Sequence, residues 1–228
     1  MLDTIISLIA PHTCVACQKT GSLLCESCVN ELSEERDEIC IGCGNPHKDN
    51  LCESCKPVWQ VERAVVLGER TEVLKTLIDE YKFNHRRAAS RDLARLISPL
   101  LPYAADAMLI PIPTIPGHIR ERGFDHMALL ARTVARRNSL RYAPFLERRG
   151  VTVQYGASKR ERLRQMQDAF ITNAALDPQE LYIVFDDVTT TGASLRAAVR
   201  VLQAAGAHRI WVAALARQPL DEPLDDRG

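Results

Sequence analysis

"LYIVFDDVTTTGASLRAA", Leu181 to Ala198, decides the fold. Five strand-forming residues run into two adjacent carboxylates. Three threonines, a glycine and a small pair then lead into an alanine-rich pattern with helical spacing. The reading is strand, turn, helix. Backbone N–H groups of Thr189, Thr190, Thr191, Gly192, Ala193 and Ser194 can turn toward an anion, helped by the hydroxyls and by the positive end of the following helix. Asp186 and Asp187 would repel a phosphate placed directly beside them. They suit the hydroxyls of a sugar one step away, because a carboxylate pair accepts both protons of a vicinal diol. A sugar 5-phosphate joins the two halves. The plainer alternative is a helix N-cap by Asp187 or Thr189, but one capping residue suffices for that. Two acids, three threonines and a glycine exceed the need.

Outward from this stretch the pattern alternates. "VERAVVLGE" (61–69), "AMLIPIPT" (107–114) and "RIWVAALAR" (209–217) read as further strands. "TEVLKTLIDEYKF", "SRDLARLISPLL", "FDHMALLARTVARRN" and "ASLRAAVRVLQAAGA" carry apolar residues at helical spacing. Strands alternating with helices predict an α/β fold, a largely parallel sheet covered on both faces. Ligands collect outside the carboxyl ends of such strands. That rule puts Asp186 and Asp187 at the ligand edge, where the strand leaves the sheet after Phe185.

All eight cysteines lie between Cys14 and Cys55, which predicts a small module over residues 1–58 ahead of an α/β domain over 59–228. They form four CxxC knuckles: Cys14/Cys17, Cys25/Cys28, Cys40/Cys43 and Cys52/Cys55. Two knuckles supply the four thiolates of one closed tetrahedral zinc site. Pairing neighbours gives two structural zinc sites, Cys14/Cys17/Cys25/Cys28 and Cys40/Cys43/Cys52/Cys55, in a double ribbon. A cross-braced arrangement, first knuckle with third, is the alternative. Redox use fits less well, since four copies of a redox motif would be odd. Four thiolates leave no open position for catalysis, so His12 and His47 read as surface or supporting residues. Metal ligation would supply the folding energy that so small a segment lacks.

The 29 basic and 29 acidic residues cancel, but their distribution does not. Met1 to Val58 holds 4 Lys/Arg against 9 Asp/Glu, and Gly117 to Arg164 holds 12 against 4. A basic middle segment suits phosphate-rich ligands or nucleic acid, although solvated helix surface is the commoner reason for a charge run. No apolar stretch reaches the length needed to cross a bilayer, and "MLDTIISLIAPH" lacks the basic start of a signal peptide. The expectation is a cytoplasmic protein with no membrane span.

"IVFDDVTTTGAS" resembles the phosphoribosyl-pyrophosphate (PRPP) motif of type I phosphoribosyltransferases. Together with the CxxC module, "LIPIPT" and "RERGFDHMALLA", the chain from about Cys14 to Arg217 resembles the ComF/GntX competence-associated family. The resemblance implies that Asp186 and Asp187 hold the ribose hydroxyls and that Thr190 to Ser194 bind the 5-phosphate. It implies a pyrophosphate loop at Ile110 to Thr114 and a mobile loop over "VQYGASKRERLRQMQDAF" (153–170). Arg120, Arg122, Lys159, Arg160 and Arg162 would counter the pyrophosphate together with Mg²⁺. The implied reaction is Mg-dependent transfer of ribose 5-phosphate to an acceptor, in a protein linked to DNA uptake. The alternative is a non-catalytic PRPP sensor that binds single-stranded DNA or DNA-uptake proteins.

The family pattern has RGFNQ where this chain has "RGFDH", so Asp125 and His126 replace an amide pair, and Gln165 replaces an asparagine. These departures bear on the transfer chemistry rather than on PRPP binding. His126 could act as a general base near neutral pH, but a surface histidine on an amphipathic helix is the favoured reading.

Overall fold

The structure, a computed structural model, describes residues 12–149 and 169–219. Chain order gives α1 (Glu26–Glu34), α2 (Lys56–Trp59), β1 (Arg63–Val66), α3 (Glu72–Lys82), α4 (Ala89–Ile97), β2 (Ala107–Pro111), α5 (Pro116–Arg122) and α6 (His126–Arg137). Then come β3 (Arg141–Tyr142), β4 (Glu147–Arg148), β5 (Phe170–Ile171), β6 (Leu181–Thr189), α7 (Ala193–Ala204) and β7 (Arg209–Arg217). Five strands make one parallel sheet in the order β1-β7-β6-β2-β3, and β4 pairs antiparallel with β5 apart from it. The α/β fold with a cysteine-rich N-terminal segment is therefore present as read.

Strand alternation sorts the core into two halves, since successive side chains point to opposite faces. Val65, Leu109, Ile183, Phe185, Ala213 and Leu215 pack with α3, α4 and α6. Ala64, Val66, Ile110, Val184, Val212 and Ala214 pack with α7 on the other face. The cysteine segment divides between them. Cys14, Leu23, Leu24, Cys28 and Val29 join the first face, whereas Ile39, Cys40, Ile41, Leu51 and Trp59 join the second. Each ribbon covers a different side of one sheet.

From β2 the chain moves outward to β3, and from β6 it moves outward the other way to β7. The crevice between β2 and β6 is thus the topological switch point, where open α/β sheets bind ligands. Among the described residues, no helix is long and apolar enough to cross a membrane.

Candidate ribose-phosphate site and cysteine centres

β6 does not end at Phe185. β2 leaves it there, after Pro111 pairs with Phe185 and the Ile112 amide donates to the Phe185 carbonyl at 2.8 Å. β6 itself continues against β7 to the pair Thr189–Arg217. The carboxylates therefore emerge where β2 diverges, not where β6 leaves the sheet. Because they sit on a continuing strand, they point to opposite faces. Asp187 shares the face of Ile183 and Phe185, and Asp186 that of Val184.

Asp187 is buried and fully engaged. Its Oδ2 accepts from Lys82 Nζ at 2.8 Å and from His126 Nε2 at 2.8 Å, and its Oδ1 accepts from the Val188 amide at 2.6 Å. Burial alone would raise its pKa, but the Lys82 charge and the His126 hydrogen bond outweigh burial and hold the carboxyl well below the usual range. Asp186 goes the other way. Burial, then the charge of Asp187, push it up to about 7, against weaker opposition from the Asp187 amide, Lys82 and Arg148. Asp187 thus keeps a fixed negative charge, while Asp186 carries a proton that it loses near neutrality. Lys82 pairs directly with that charge and Arg148 acts on Asp186, so the site does not repel an anion as two free carboxylates would.

His126 is 5% exposed, which corrects the surface reading. It opens α6 rather than riding its outer face, and its carbonyl accepts from Tyr81 Oη at 2.6 Å. Donation from Nε2 to Asp187 leaves Nδ1 to accept from Arg122 Nη1 at 3.0 Å. Asp125 caps α6, its Oδ1 accepting from the Ala128 amide at 3.0 Å and from Thr114 Oγ1 at 2.8 Å. Asparagine and aspartate are equally good N-caps, so the first substitution in "RGFDH" leaves this local structure intact.

Of the predicted cations, the structure brings in Arg122 and not Arg120. Arg122 is buried, lies 5.3 Å from the Phe83 ring centroid and keeps a buried Nε with no hydrogen-bond partner. Arg120 is exposed on α5. Lys159, Arg160 and Arg162 lie outside the described residues, as does Gln165. Two cations were missed. Lys82 reads in sequence as an ordinary basic end to a helix. Arg148, half-buried at the β4–β5 ladder, donates from Nε to the Pro113 carbonyl at 2.7 Å. Neither stands in a motif, and only the tertiary fold brings them to the carboxylates.

Thr190 and Thr191 are exposed, Thr189 and Gly192 are buried, and Ala193 and Ser194 are half-buried. α7 starts at Gly192 (φ +70°) with no side-chain cap, the turn being steadied by Arg196 Nη1 donating to the Thr191 carbonyl at 2.7 Å. The Ala193 amide donates to Thr191 Oγ1 at 3.3 Å, so the threonine hydroxyls lie beside the positive end of α7, chemistry that suits an anion. Gly192 is required here for a second reason: a Cβ would collide with the Trp59 ring. Trp59 is 2% exposed, and the Arg196 guanidinium lies 5.5 Å from its ring centroid. A Cβ at Gly42 would likewise meet Trp59 Nε1 at 2.8 Å and Cys55 Sγ at 2.9 Å. The indole is a strut between the second cysteine cluster and the candidate phosphate turn.

The cysteines group by neighbouring knuckles. Cys14, Cys17, Cys25 and Cys28 bring their sulfurs within 4.8 Å of one another, as do Cys40, Cys43, Cys52 and Cys55. Each set could hold a tetrahedral zinc ion, and four sulfurs with no oxygen ligand suit zinc over magnesium or calcium. The two are built alike: Cys25 N donates to Cys14 Sγ and Cys52 N to Cys40 Sγ, both at 3.4 Å.

No family model matches the chain. Curated relatives do. Competence protein ComFC of Streptococcus pneumoniae (strain ATCC BAA-255 / R6) is 24% identical over 200 residues, covering 86% of this chain and 88% of that protein. Competence protein F of Haemophilus influenzae is 27% identical, covering 90% of each. DNA utilization protein YhgH of Salmonella typhi is 28% identical, covering 92% of this chain and 99% of that protein. Over most of its length the chain is similar to these competence and DNA utilization proteins. Among solved structures, TT1426 from Thermus thermophilus aligns at 20% identity and a TM-score of 0.32, over 64% of this chain and 88% of that one. What the chain offers at the site is therefore read from its own residues: Asp125 as cap, His126 on Asp187, and Lys82 on the same carboxylate.

Proposed function

We propose that the chain is a PRPP-binding protein of phosphoribosyltransferase type that acts in the cytoplasm in the handling of incoming DNA. In this reading residues 1–58 form the metal-holding module and 59–228 the ligand-binding domain. The observation that carries it is the Thr/Gly turn opening α7, directly after an acid pair that has Lys82 and His126 on Asp187, Arg122 on His126 and the charge of Arg148 acting on Asp186. A ribose lying across β6, where β2 has departed, reaches Asp186 on one face and Asp187 on the other. Its 5-phosphate then falls on the N–H groups of Thr190 to Ser194. The names of the relatives, competence and DNA utilization proteins, support the DNA context.

For transfer, pyrophosphate would leave C1 of the ribose through a cation-like transition state. Fixed positive charge beside the leaving group is the main lever for that step. Arg122, with its unpartnered Nε, and Arg148 are the described groups placed to supply it. Magnesium arriving with PRPP would neutralise pyrophosphate charge further; Asp187 is already saturated by Lys82 and His126, which favours an ion carried by the ligand over one held by the protein. The same saturation favours a second reading, a site that senses PRPP without turning it over. To accept a ribose hydroxyl, Asp187 must release Lys82 or His126.

Calorimetric titration with PRPP and Mg²⁺, alongside an assay of pyrophosphate release over a panel of bases, separates these. Binding with release supports the transferase. Binding that Asp186→Asn and Asp187→Asn abolish, without release for any base, supports the sensor. A wild-type protein that binds no PRPP overturns both.

A further inference from the structure

We infer that Lys82 is a placeholder in the empty site: it leaves Asp187 when a ribose hydroxyl binds there and follows the ligand's pyrophosphate, so that the site selects PRPP over ribose 5-phosphate. This deepens the ribose-phosphate reading above and rests on it.

Asp187 Oδ2 has two partners, Lys82 Nζ and His126 Nε2, each at 2.8 Å, and Oδ1 takes the Val188 amide at 2.6 Å. A carboxylate oxygen offers two lone pairs, so Oδ2 accepts a hydroxyl proton only after one partner goes. His126 is the poorer candidate to leave. Its ring is buried, its Nδ1 accepts from Arg122 Nη1 at 3.0 Å, and it lies edge-on to Tyr81 with ring centroids 6.3 Å apart. The Tyr81 hydroxyl also fixes its carbonyl at 2.6 Å. Turning the imidazole away would break the Arg122 contact and leave buried polar atoms unpaired. Arg122 cannot simply follow, because it is buried itself and its carbonyl accepts from His85 Nδ1 at 2.9 Å.

Lys82 is held differently. Among the described residues its ammonium has one ion partner, Asp187, and its side chain keeps 15% exposure at the end of α3. The flexible four-carbon stem lets the head swing while the helix stays in place. Its neighbour Phe83 is 57% exposed, so this end of α3 is open to solvent.

Where the ammonium goes follows from the ligand. In PRPP the carbon that bears pyrophosphate is bonded directly to the carbon of the 2-hydroxyl. A ligand whose diol lies on the acid pair therefore brings its pyrophosphate within a lysine's length of Asp187. The ammonium exchanges one carboxylate for phosphate oxygens that carry more charge, and charge-assisted bonds replace the one it gave up. Ribose 5-phosphate has a hydroxyl in place of pyrophosphate and offers no such exchange. Against that ligand Lys82 only competes for Asp187. One side chain thus moves two affinities in opposite directions, which is how a site discriminates.

The test is calorimetric titration of the wild type and Lys82→Met with PRPP and with ribose 5-phosphate, both with Mg²⁺. Lys82→Met should bind PRPP roughly 10- to 100-fold more weakly than the wild type does, and ribose 5-phosphate at least as tightly. A residue that merely braced the site would move both ligands together. Circular dichroism reports whether the variant is folded. Lys82→Gln, which can still donate to Asp187, is the second variant and should give the same ordering. Equal weakening of both ligands, PRPP affinity that does not fall, or a wild type that binds the two ligands equally would overturn the inference and leave the ribose-phosphate reading in place. A wild type that binds neither ligand overturns that reading, and the inference with it.

Discussion

The first ribbon, Cys14 to Cys28, and the second, Cys40 to Cys55, repeat one knuckle bond for bond, yet they touch different parts of the molecule. The first packs on the α4 side of the sheet, where the Leu24 amide finds Asp92, beside a groove lined by Arg87, Arg91, Arg95, Arg136 and Arg137. The second packs on the α7 side, where Gly42 and Cys55 back Trp59 and Trp59 backs Gly192. A Cβ at Gly44 would also meet Arg217 Nη1 at 2.5 Å, at the strand end paired with Thr189. Two similar four-cysteine clusters thus brace two unrelated surfaces. What a ribbon does depends on the face of the sheet it covers, not on its own ligands.

Breaking the second contact should have the largest effect. Trp59→Ala removes a buried indole and should cost about 4 kcal/mol of stability. It should also weaken PRPP binding by more than tenfold, because the turn loses its backing. Thermal unfolding and PRPP calorimetry on one preparation check both.

Next is Asp187→Asn, which leaves Lys82 and His126 without their shared anion. About 3 kcal/mol should be lost at neutral pH, read from denaturant midpoints. In the wild type the contribution of Asp187 is present above the unfolded-state value near 4 and fades as pH falls below it, since its folded pKa is depressed. The variant should lack that low-pH decline.

On the first face, Asp92→Ala removes the buried acceptor of the Leu24 amide and should cost about 2 kcal/mol. PRPP affinity should stay as in the wild type, the contrast that defines the two faces. The smallest change expected is a gain. Asp186 titrates at about 7 when folded, so its effect on stability is most favourable below about 4 and is lost as pH rises through 7. Asp186→Asn should flatten that fall and be more stable than the wild type at pH 8 by about 1 kcal/mol, while losing PRPP affinity. Thermal melts at several pH values show it.

Much of this organisation was legible in the sequence, for identifiable reasons. The period-2 and helical patterns located the sheet and its helices, and cysteine spacing gave both clusters. The turn chemistry of Thr189 to Ser194 marked the candidate site. What the sequence hid was orientation. "FDD" reads as a strand end with two like acids, but β6 keeps its pairing with β7, so Asp186 and Asp187 face opposite sides and acquire opposite pKa shifts. His126 looked exposed because helical periodicity says nothing of what packs on the first turn. Lys82 and Arg148 carried no signal, since their role exists only in the company of residues more than thirty positions away. Nor could spacing reveal that neighbouring ribbons part to opposite faces.

The most direct test of the link between the second ribbon and the proposed ribose-phosphate site is a PRPP–Mg²⁺ titration of three proteins by calorimetry: wild type, Gly192→Ala and Asp92→Ala. Gly192→Ala places a methyl against Trp59 at a left-handed position without altering a ligand-binding side chain. The account predicts binding by the wild type, retention in Asp92→Ala and loss in Gly192→Ala while that variant keeps its fold by circular dichroism. Undiminished binding by Gly192→Ala, or none by the wild type, would contradict it.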